Sequence, residues 1–333
     1  MPCPYRQKHA SPNRRRRHGF SFSLQPSAFS LFSVLCLMAL TLCPAQAQTI
    51  TDQDGQELTF EQPFTRVISL YPAHTENLFS LGLDSQIIGV SKNDDFPAAA
   101  AAKPKFDYRE DPERIIAAKP DLVVVRPMIS RSAPELLNKL RLTGIRVVSL
   151  QPNSLEETFA YWQTLGALTG REQAAQEMID RFSKRLAEIK AVVDTIPEAR
   201  RKRVYFEAIH AKMKTFAPDS MAIFALTTAG GINAAADAEQ VRDTNIAYYG
   251  TERLLAKAEG IDLFLAQQGK MNPISEQTIY EEPGFTAIKA VKERQVFLID
   301  EHLVARPTLR MIDGIIKIGS ILYPEPFAKT LPQ

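Results

Sequence analysis

The sequence predicts an α/β protein built from two parallel-sheet halves, on three observations. Short strand patterns alternate with helical ones along the chain, the order expected of parallel βα units. Leu122-Val123-Val124-Val125 is an uninterrupted apolar run, as expected of a strand covered on both faces. A weak internal repeat relates the halves. Glu113-Arg114-Ile115-Ile116-Ala117 precedes Asp121-Leu122, and Glu252-Arg253-Leu254-Leu255-Ala256 precedes Asp262-Leu263. A chain of 333 residues also fits about two domains.

The first stretch is read as a leader. Residues 1–47 carry Arg6, Lys8 and Arg14 to Arg17 and no acidic residue. An apolar run from Leu31 to Cys43 follows, and then Ala45-Gln46-Ala47. A basic region, a short apolar core and a small-x-small site are the parts of a secretory signal peptide. The run is too short for a stable membrane span, which needs about 20 residues. Lipidation at Cys43 is the lesser alternative, because the preceding Leu42 is large for a lipoprotein site; an uncleaved anchor is another. Cleavage after Ala47 removes six of the 40 basic residues and leaves 34 against 38 acidic, a net charge of −4. It also removes Cys3, Cys36 and Cys43, all of the cysteines. Thiol catalysis, disulfides and iron–sulfur ligation are thereby excluded from the mature chain.

The expected organisation is a signal peptide over 1–47, an N-terminal α/β lobe over 48–153, a bridging helix over 154–197 and a C-terminal α/β lobe over 198–333. The mature part opens on a hairpin pattern around Asp54-Gly55. Strands are expected at Arg66–Leu70, Ile87–Val90, Leu122–Val125 and Val147–Leu150. Between them lie helices marked by Leu78 and Leu81, by Pro112, and by Pro134 with Gly144 as its stop. Ser154 and Glu157 form a capping-box pattern. Ala175, Met178, Ile179, Phe182, Leu186, Ile189 and Val193 then mark one helix face, with a break allowed at Thr169-Gly170. The second half continues with strands at Val204–Phe206, Ile261–Leu265 and Val296–Ile299. Its last helix carries Ile312, Ile315, Ile316 and Leu322. The basic run Arg200–Arg203 reads as a solvated turn.

Several stretches together resemble the helical-backbone class of periplasmic binding proteins, which serve ATP-driven importers of iron–siderophores, vitamin B12 and haem. They are Val67–Leu83 with its strand and helix, Ile87–Ser91, Asp111–Val125, Tyr249–Ala266, Phe285–Asp300 and Ala305–Ile315. The last resembles the family's Arg-Pro-x-x-Arg segment. The resemblance covers about 55–330 and implies two α/β lobes bridged by one long helix, with a ligand cleft between them. It implies an extracytoplasmic substrate-binding component of an ABC importer, located in the periplasm as a soluble or loosely membrane-associated monomer. It brings no intrinsic cofactor. Its partners are a permease dimer with its ATPase, and no nucleic acid is expected. One acid per lobe, here Glu113 and Glu252, would dock on basic residues of the permease. Acids in a helical first turn are also favoured by the helix dipole alone. A single stiff bridge implies small lobe closure.

The cleft should lie beyond the carboxyl ends of the strands. The candidate ligand-binding residues there are Tyr71, His74, Asp95, Tyr108, Arg126, His210, Met213, Gln267, His302 and Arg306. His74, His210 and His302 are also the candidate metal ligands, although a lone histidine is commonly a structural hydrogen-bonder. Neighbouring strand-end positions include Glu76, Asn93, Asp107, Arg109, Met128, Lys270 and Met271. Aromatics and methionines supply adaptable apolar area, and arginines can hold carboxylates in bidentate fashion. This mixture fits a metal-bearing organic cargo. An iron chelate leads, a corrinoid follows, and haem or a small metal complex comes third. The different-class alternative is a secreted metal-dependent hydrolase. It is disfavoured because the histidines are widely separated and neither H-E-x-x-H nor G-x-S-x-G occurs.

Overall fold

The computed structural model describes residue 19 and residues 47–330 apart from 243. The leader, with its cysteines and cleavage site, lies outside the described residues. The chain opens on an antiparallel hairpin of β1 (Gln48–Thr51) and β2 (Glu57–Phe60). The first lobe then alternates strands and helices. Its elements are β3 (Val67–Ser69), α1 (Pro72–Ser80), β4 (Ile87–Ser91), α2 (Ala98–Ala101), β5 (Lys105–Phe106), α3 (Glu113–Ala117), β6 (Leu122–Val125), α4 (Pro127–Ser132), α5 (Pro134–Leu142) and β7 (Arg146–Ser149). All five strands run parallel in the order β5-β4-β3-β6-β7. The chain therefore leaves β3 to one side for β4 and returns to the other for β6. Such a reversal of winding opens a crevice at the carboxyl ends of β3 and β6.

The expected bridging stretch is interrupted at Thr169-Gly170, where the sequence allows a break, and forms two helices. They are α6 (Leu155–Thr169) and α7 (Glu172–Val193). Ser154 caps α6 by accepting the Glu157 N–H at 3.1 Å. Glu157 reaches back to the Asn153 N–H rather than to that of Ser154. Gly170 ends α6 in the left-handed region, φ 65°, and the chain turns so that Gly166 packs on Ala175. The 154–197 stretch is thus a helical hairpin, because a left-handed residue cannot continue a right-handed helix. Its long arm is α7, 22 residues or about 33 Å at 1.5 Å per residue.

The second lobe comprises β8 (Arg203–Ile209), β9 (Lys214–Phe216), α8 (Met221–Thr228), β10 (Ile232–Asn233), β11 (Glu239–Gln240), β12 (Ile246–Tyr248), α9 (Thr251–Ala256), β13 (Leu263–Gln268), α10 (Glu276–Glu281), α11 (Lys289–Lys292), β14 (Val296–Asp300), α12 (Glu301–Val304), α13 (Met311–Leu322) and α14 (Pro324–Thr330). Strands β10, β8, β13 and β14 are parallel, but β9, β12 and β11 extend the sheet antiparallel. The expected purely parallel sheet is therefore mixed. Only four residues separate β8 from β9, with Met213 at φ 46° in the turn, and a connection that short can join only antiparallel strands.

One apolar core runs through both lobes. Val67, Leu122 and Val124 of the first sheet, Phe206, Leu263 and Leu265 of the second, and Met178 and Phe182 of α7 belong to a single buried cluster. Trp162 lies fully buried on Phe182, ring centroids 5.3 Å apart. Separate clusters cover the outer sheet faces, around Val123 and Val125 in the first lobe and around Tyr205 and Phe264 in the second. The continuous core makes the two sheets and the bridge one packed body. Opening it would expose apolar area at roughly 25 cal/mol per Å².

Candidate functional site

The carboxyl ends of the sheets face a cleft between the lobes with a cavity of about 420 Å³. Two of its wall residues come from the crevice of the first sheet. Tyr71 follows β3, and Arg126 follows β6. The Arg126 guanidinium lies over the Tyr71 ring, 4.4 Å from its centroid. Its Nε is buried and has no hydrogen-bond partner among the described residues. Stacking of this kind holds a guanidinium in place without spending its donors. Tyr108 and Arg109 form a similar pair at 4.7 Å.

The wall is strongly basic. Lys92, Arg109 and Arg126 face Lys270 and Arg306 across the cleft, against two carboxylates, Asp107 and Glu301. Lys92 pairs with Asp107. Burial raises the Asp107 carboxyl, but the Lys92 ammonium and the Arg109 N–H outweigh it and hold the group below its usual range. Glu301 is also engaged, accepting the Met271 N–H at 3.1 Å. A Cβ at Gly269 would meet the end of the Glu301 side chain and displace it, so glycine lets Glu301 hold this position. With both acids occupied, the surplus positive charge faces the cavity.

Of the expected ligand-binding residues, Tyr71, Tyr108, Arg126 and Arg306 line this cavity. His74, Asp95, His210, Met213, Gln267 and His302 are not on its wall. Their displacement has specific causes. Alternation along a strand or helix sends a strand-end side chain inward as readily as outward. Gln267 is fully buried and donates to the Ala208 carbonyl at 2.7 Å. Met213 takes the left-handed turn position and packs on the outer core. Asp95 is exposed beside Phe96.

The three histidines are each held by the protein. His74 is buried between the Val125 carbonyl, 2.9 Å from Nε2, and the Tyr161 hydroxyl, 2.7 Å from Nδ1. The carbonyl can only accept, so Nε2 carries the proton and Nδ1 accepts from Tyr161. Burial pushes this imidazole down to about 3, with Arg126 adding to the effect, so it is neutral. His210 is clamped between Glu207, 2.9 Å from Nδ1, and Glu282, 3.3 Å from Nε2. The hydrogen bond to Glu207 raises its imidazole above the usual range despite burial. His302 Nδ1 lies 2.9 Å from Asp300. Among the described residues no group of three or more His, Cys, Asp and Glu side chains is arranged to hold a metal ion.

The lobes are joined through α1, a helix in which the consecutive polar residues His74, Thr75, Glu76 and Asn77 are all buried. Glu76 takes a two-pronged bond from Arg310, Nε to Oε1 at 2.8 Å and Nη2 to Oε2 at 2.7 Å. Asn77 donates to the Pro307 carbonyl at 3.0 Å and to the Tyr161 hydroxyl at 3.1 Å. The two arginines of Arg306-Pro307-Thr308-Leu309-Arg310 thus divide their roles, one on the cleft wall and one in the joint.

Lys92, Asn245 and Glu301 were not among the expected site residues. Lys92 and Glu301 are the first residues past β4 and β14, a position that would have flagged them. Asn245 precedes an antiparallel strand, where the strand-end rule carries no signal.

Glu113 and Glu252 are exposed in the first turns of α3 and α9. Glu113 is paired with Lys139 at 2.7 Å. Glu252 has no ion pair among the described residues.

A family model described as periplasmic binding protein matches residues 67–303, well over half of the chain. An uncharacterized ABC transporter substrate-binding lipoprotein of Bacillus subtilis is 25% identical over 285 residues, covering 84% of this chain and 86% of that one. A vitamin B12-binding protein of Vibrio cholerae is 23% identical over 262 residues, covering 78% and 90%. Among solved structures, a possible iron-binding, periplasmic solute-binding protein from Staphylococcus epidermidis superposes with a TM-score of 0.67 at 26% identity, covering 79% of this chain and all of that one. Each is by its description a binding or transport protein, and none is an enzyme.

Proposed function

The chain belongs to the periplasmic binding protein family, and from that premise we propose that it captures an anionic metal chelate between its lobes and delivers it to the permease of an ABC importer. The observation that carries this reading is the cleft wall, where five cationic side chains surround a cavity of about 420 Å³ alongside aromatic and methionine side chains. Cations on a partly enclosed wall attract an anionic complex, and Tyr71, Tyr108, Met128 and Met271 offer apolar area to its organic part. An iron chelate suits this wall best. A corrinoid is the second reading, supported by the vitamin B12-binding relative, and haem is the third. The cargo is substrate, and the protein needs no resident cofactor to hold it.

Delivery is assigned to Glu113 and Glu252. Both are exposed first-turn acids on short helices that directly precede a central strand, one in each lobe. Two carboxylates on one packed body can read the spacing of two basic patches on a permease. The continuous core supports small lobe movement during capture and release. No helix among the described residues is long and apolar enough to cross a membrane. A periplasmic protein, exported by the leader and soluble or lipid-anchored, agrees with that and with the lipoprotein relative.

The test is purification of the protein from the periplasm without added ligand, followed by an absorption spectrum and metal analysis. The reading expects iron with a ligand-to-metal charge-transfer band. A corrinoid or porphyrin spectrum would move the assignment to the second or third reading. Failure to bind any ferric chelate, cobalamin or hemin in titration would remove it.

A further inference from the structure

The cleft has a second compartment with different chemistry. A cavity of about 260 Å³ lies between Pro152-Asn153, which follow β7 of the first lobe, and Asp219, Met221, Gln240 and Asn245 of the second. Asn245 lines both this cavity and the basic one, so the two adjoin at that residue. No arginine or lysine stands on the wall of the second compartment.

Its polar groups are mostly unspent. The Asn153 backbone N–H goes to Glu157 at 2.7 Å and the Asn245 carbonyl accepts from Ala217 at 2.8 Å, but neither side-chain amide is used among the described residues. Gln240 donates its Nε2 to the Thr244 carbonyl at 2.9 Å, which leaves its Oε1 to accept. A carboxamide both donates and accepts, so two free carboxamides and a carbonyl oxygen suit groups that do the same, namely amides and hydroxyls. Asp219 adds a carboxylate that repels anions. A charged head group is therefore sorted to the basic compartment and a neutral, hydrogen-bonding group to this one.

We propose that the second compartment is a subsite for an uncharged amide- or hydroxyl-bearing arm, so that the cargo is a chelate with an anionic metal-bearing head and a polar appendage. This rests on the reading of the cleft as a chelate site. It adds a requirement on the cargo that the basic wall alone does not make. A bare anionic complex would leave the side-chain amides of Asn153 and Gln240 without a ligand partner.

The test is calorimetric titration of the full mature protein with two probes that share a head. One is the iron(III) tris complex of N-methyl-2,3-dihydroxybenzamide, which has the same charge as the armed probe. The other is the iron(III) complex of 2,3-dihydroxybenzoyl groups extended by a Ser-Gly-Ser amide. The arm should tighten binding at least tenfold in the wild type. Asn153→Ala combined with Gln240→Ala, both on the second compartment alone, should remove that gain and leave the Kd of the bare complex unchanged, with thermal unfolding confirming the fold. Equal affinity for the two probes overturns the subsite, as does a double variant that weakens both alike. Hemin or cyanocobalamin binding tightly while neither iron probe binds also overturns it. If no metal complex binds at all, the chelate reading itself fails.

Discussion

The two lobes meet the same cleft with the same kind of charge but hold it in different ways. The first lobe stacks its arginines on aromatic rings, Arg126 on Tyr71 and Arg109 on Tyr108. The second presents Lys270 from a loop pinned by Glu301, and Arg306 from the segment that also forms the joint. Behind these walls each lobe buries one histidine in opposite electrostatic states. His74 is neutral, between a carbonyl and a tyrosine hydroxyl. His210 is flanked by two carboxylates and favours its charged form. A histidine just past a strand therefore says little about ligand contact; the groups it meets behind the wall decide its state.

The sharpest way to break the relation between the lobes is at the joint. Arg310→Ala leaves Glu76 buried without its partner, and loss of one member of a buried pair costs about 3 kcal/mol or more. Denaturant unfolding should read this as a lowered midpoint. Glu76→Gln, which keeps a hydrogen-bond acceptor and removes the charge, should cost less. Equal losses would mean that the pair acts only through packing.

The contrast between the histidines is next in size and has a definite sign. His74 sits below its usual value when folded, so the unfolded chain takes up a proton first as pH falls below 6.5. Stability is fully present above that pH and declines toward about 3, by at most roughly 1.4 kcal/mol per pH unit. His210 sits above its usual value, so its contribution is complete below 6.5 and is lost as pH rises through the folded value. Unfolding curves across pH should therefore change slope in opposite directions in His74→Gln and His210→Gln. Matching changes would contradict the assigned states.

On the cleft wall, Arg126→Gln should weaken binding of an anionic ferric chelate by about tenfold, with little change in the unfolding midpoint. Lys270→Gln should cost less, because an exposed lysine on a loop is worth less than a stacked, half-buried arginine. Isothermal titration separates the two. The smallest contrast is expected at Glu113 and Glu252, the acids proposed for docking. Glu113 is already paired with Lys139, whereas Glu252 carries no such partner. Reversing Glu252 to Lys should therefore lower uptake two- to threefold more than reversing Glu113, with cargo affinity unchanged in both. Transport assays with purified binding protein read this directly.

Much of the architecture was legible because periodicity and apolar runs report burial. Leu122–Val125, the α7 face from Ala175 to Val193, and the paired Glu-Arg-x-x-Ala stretches all fall on the elements expected of them. The break at Thr169-Gly170 was legible as an allowed stop, but the fold-back it makes was not, because the turn direction rests on one left-handed residue. The antiparallel extension β9-β12-β11 was harder to read, because its strands are too short to show a pattern. The site was legible by position rather than by direction. Strand ends located the cleft, but whether His74 turns into it or away depends on neighbours far away in sequence, such as Tyr161 and Val125.

The central claim is that the basic interlobe wall captures an anionic metal complex. The most direct test is calorimetric titration of iron(III) tris-catecholate into the mature wild type and into an Arg126→Gln, Arg306→Gln double variant. One complex should bind per wild-type protein, with at least a tenfold weaker Kd in the variant. Equal affinity in both proteins, or no binding to the wild type, would contradict it.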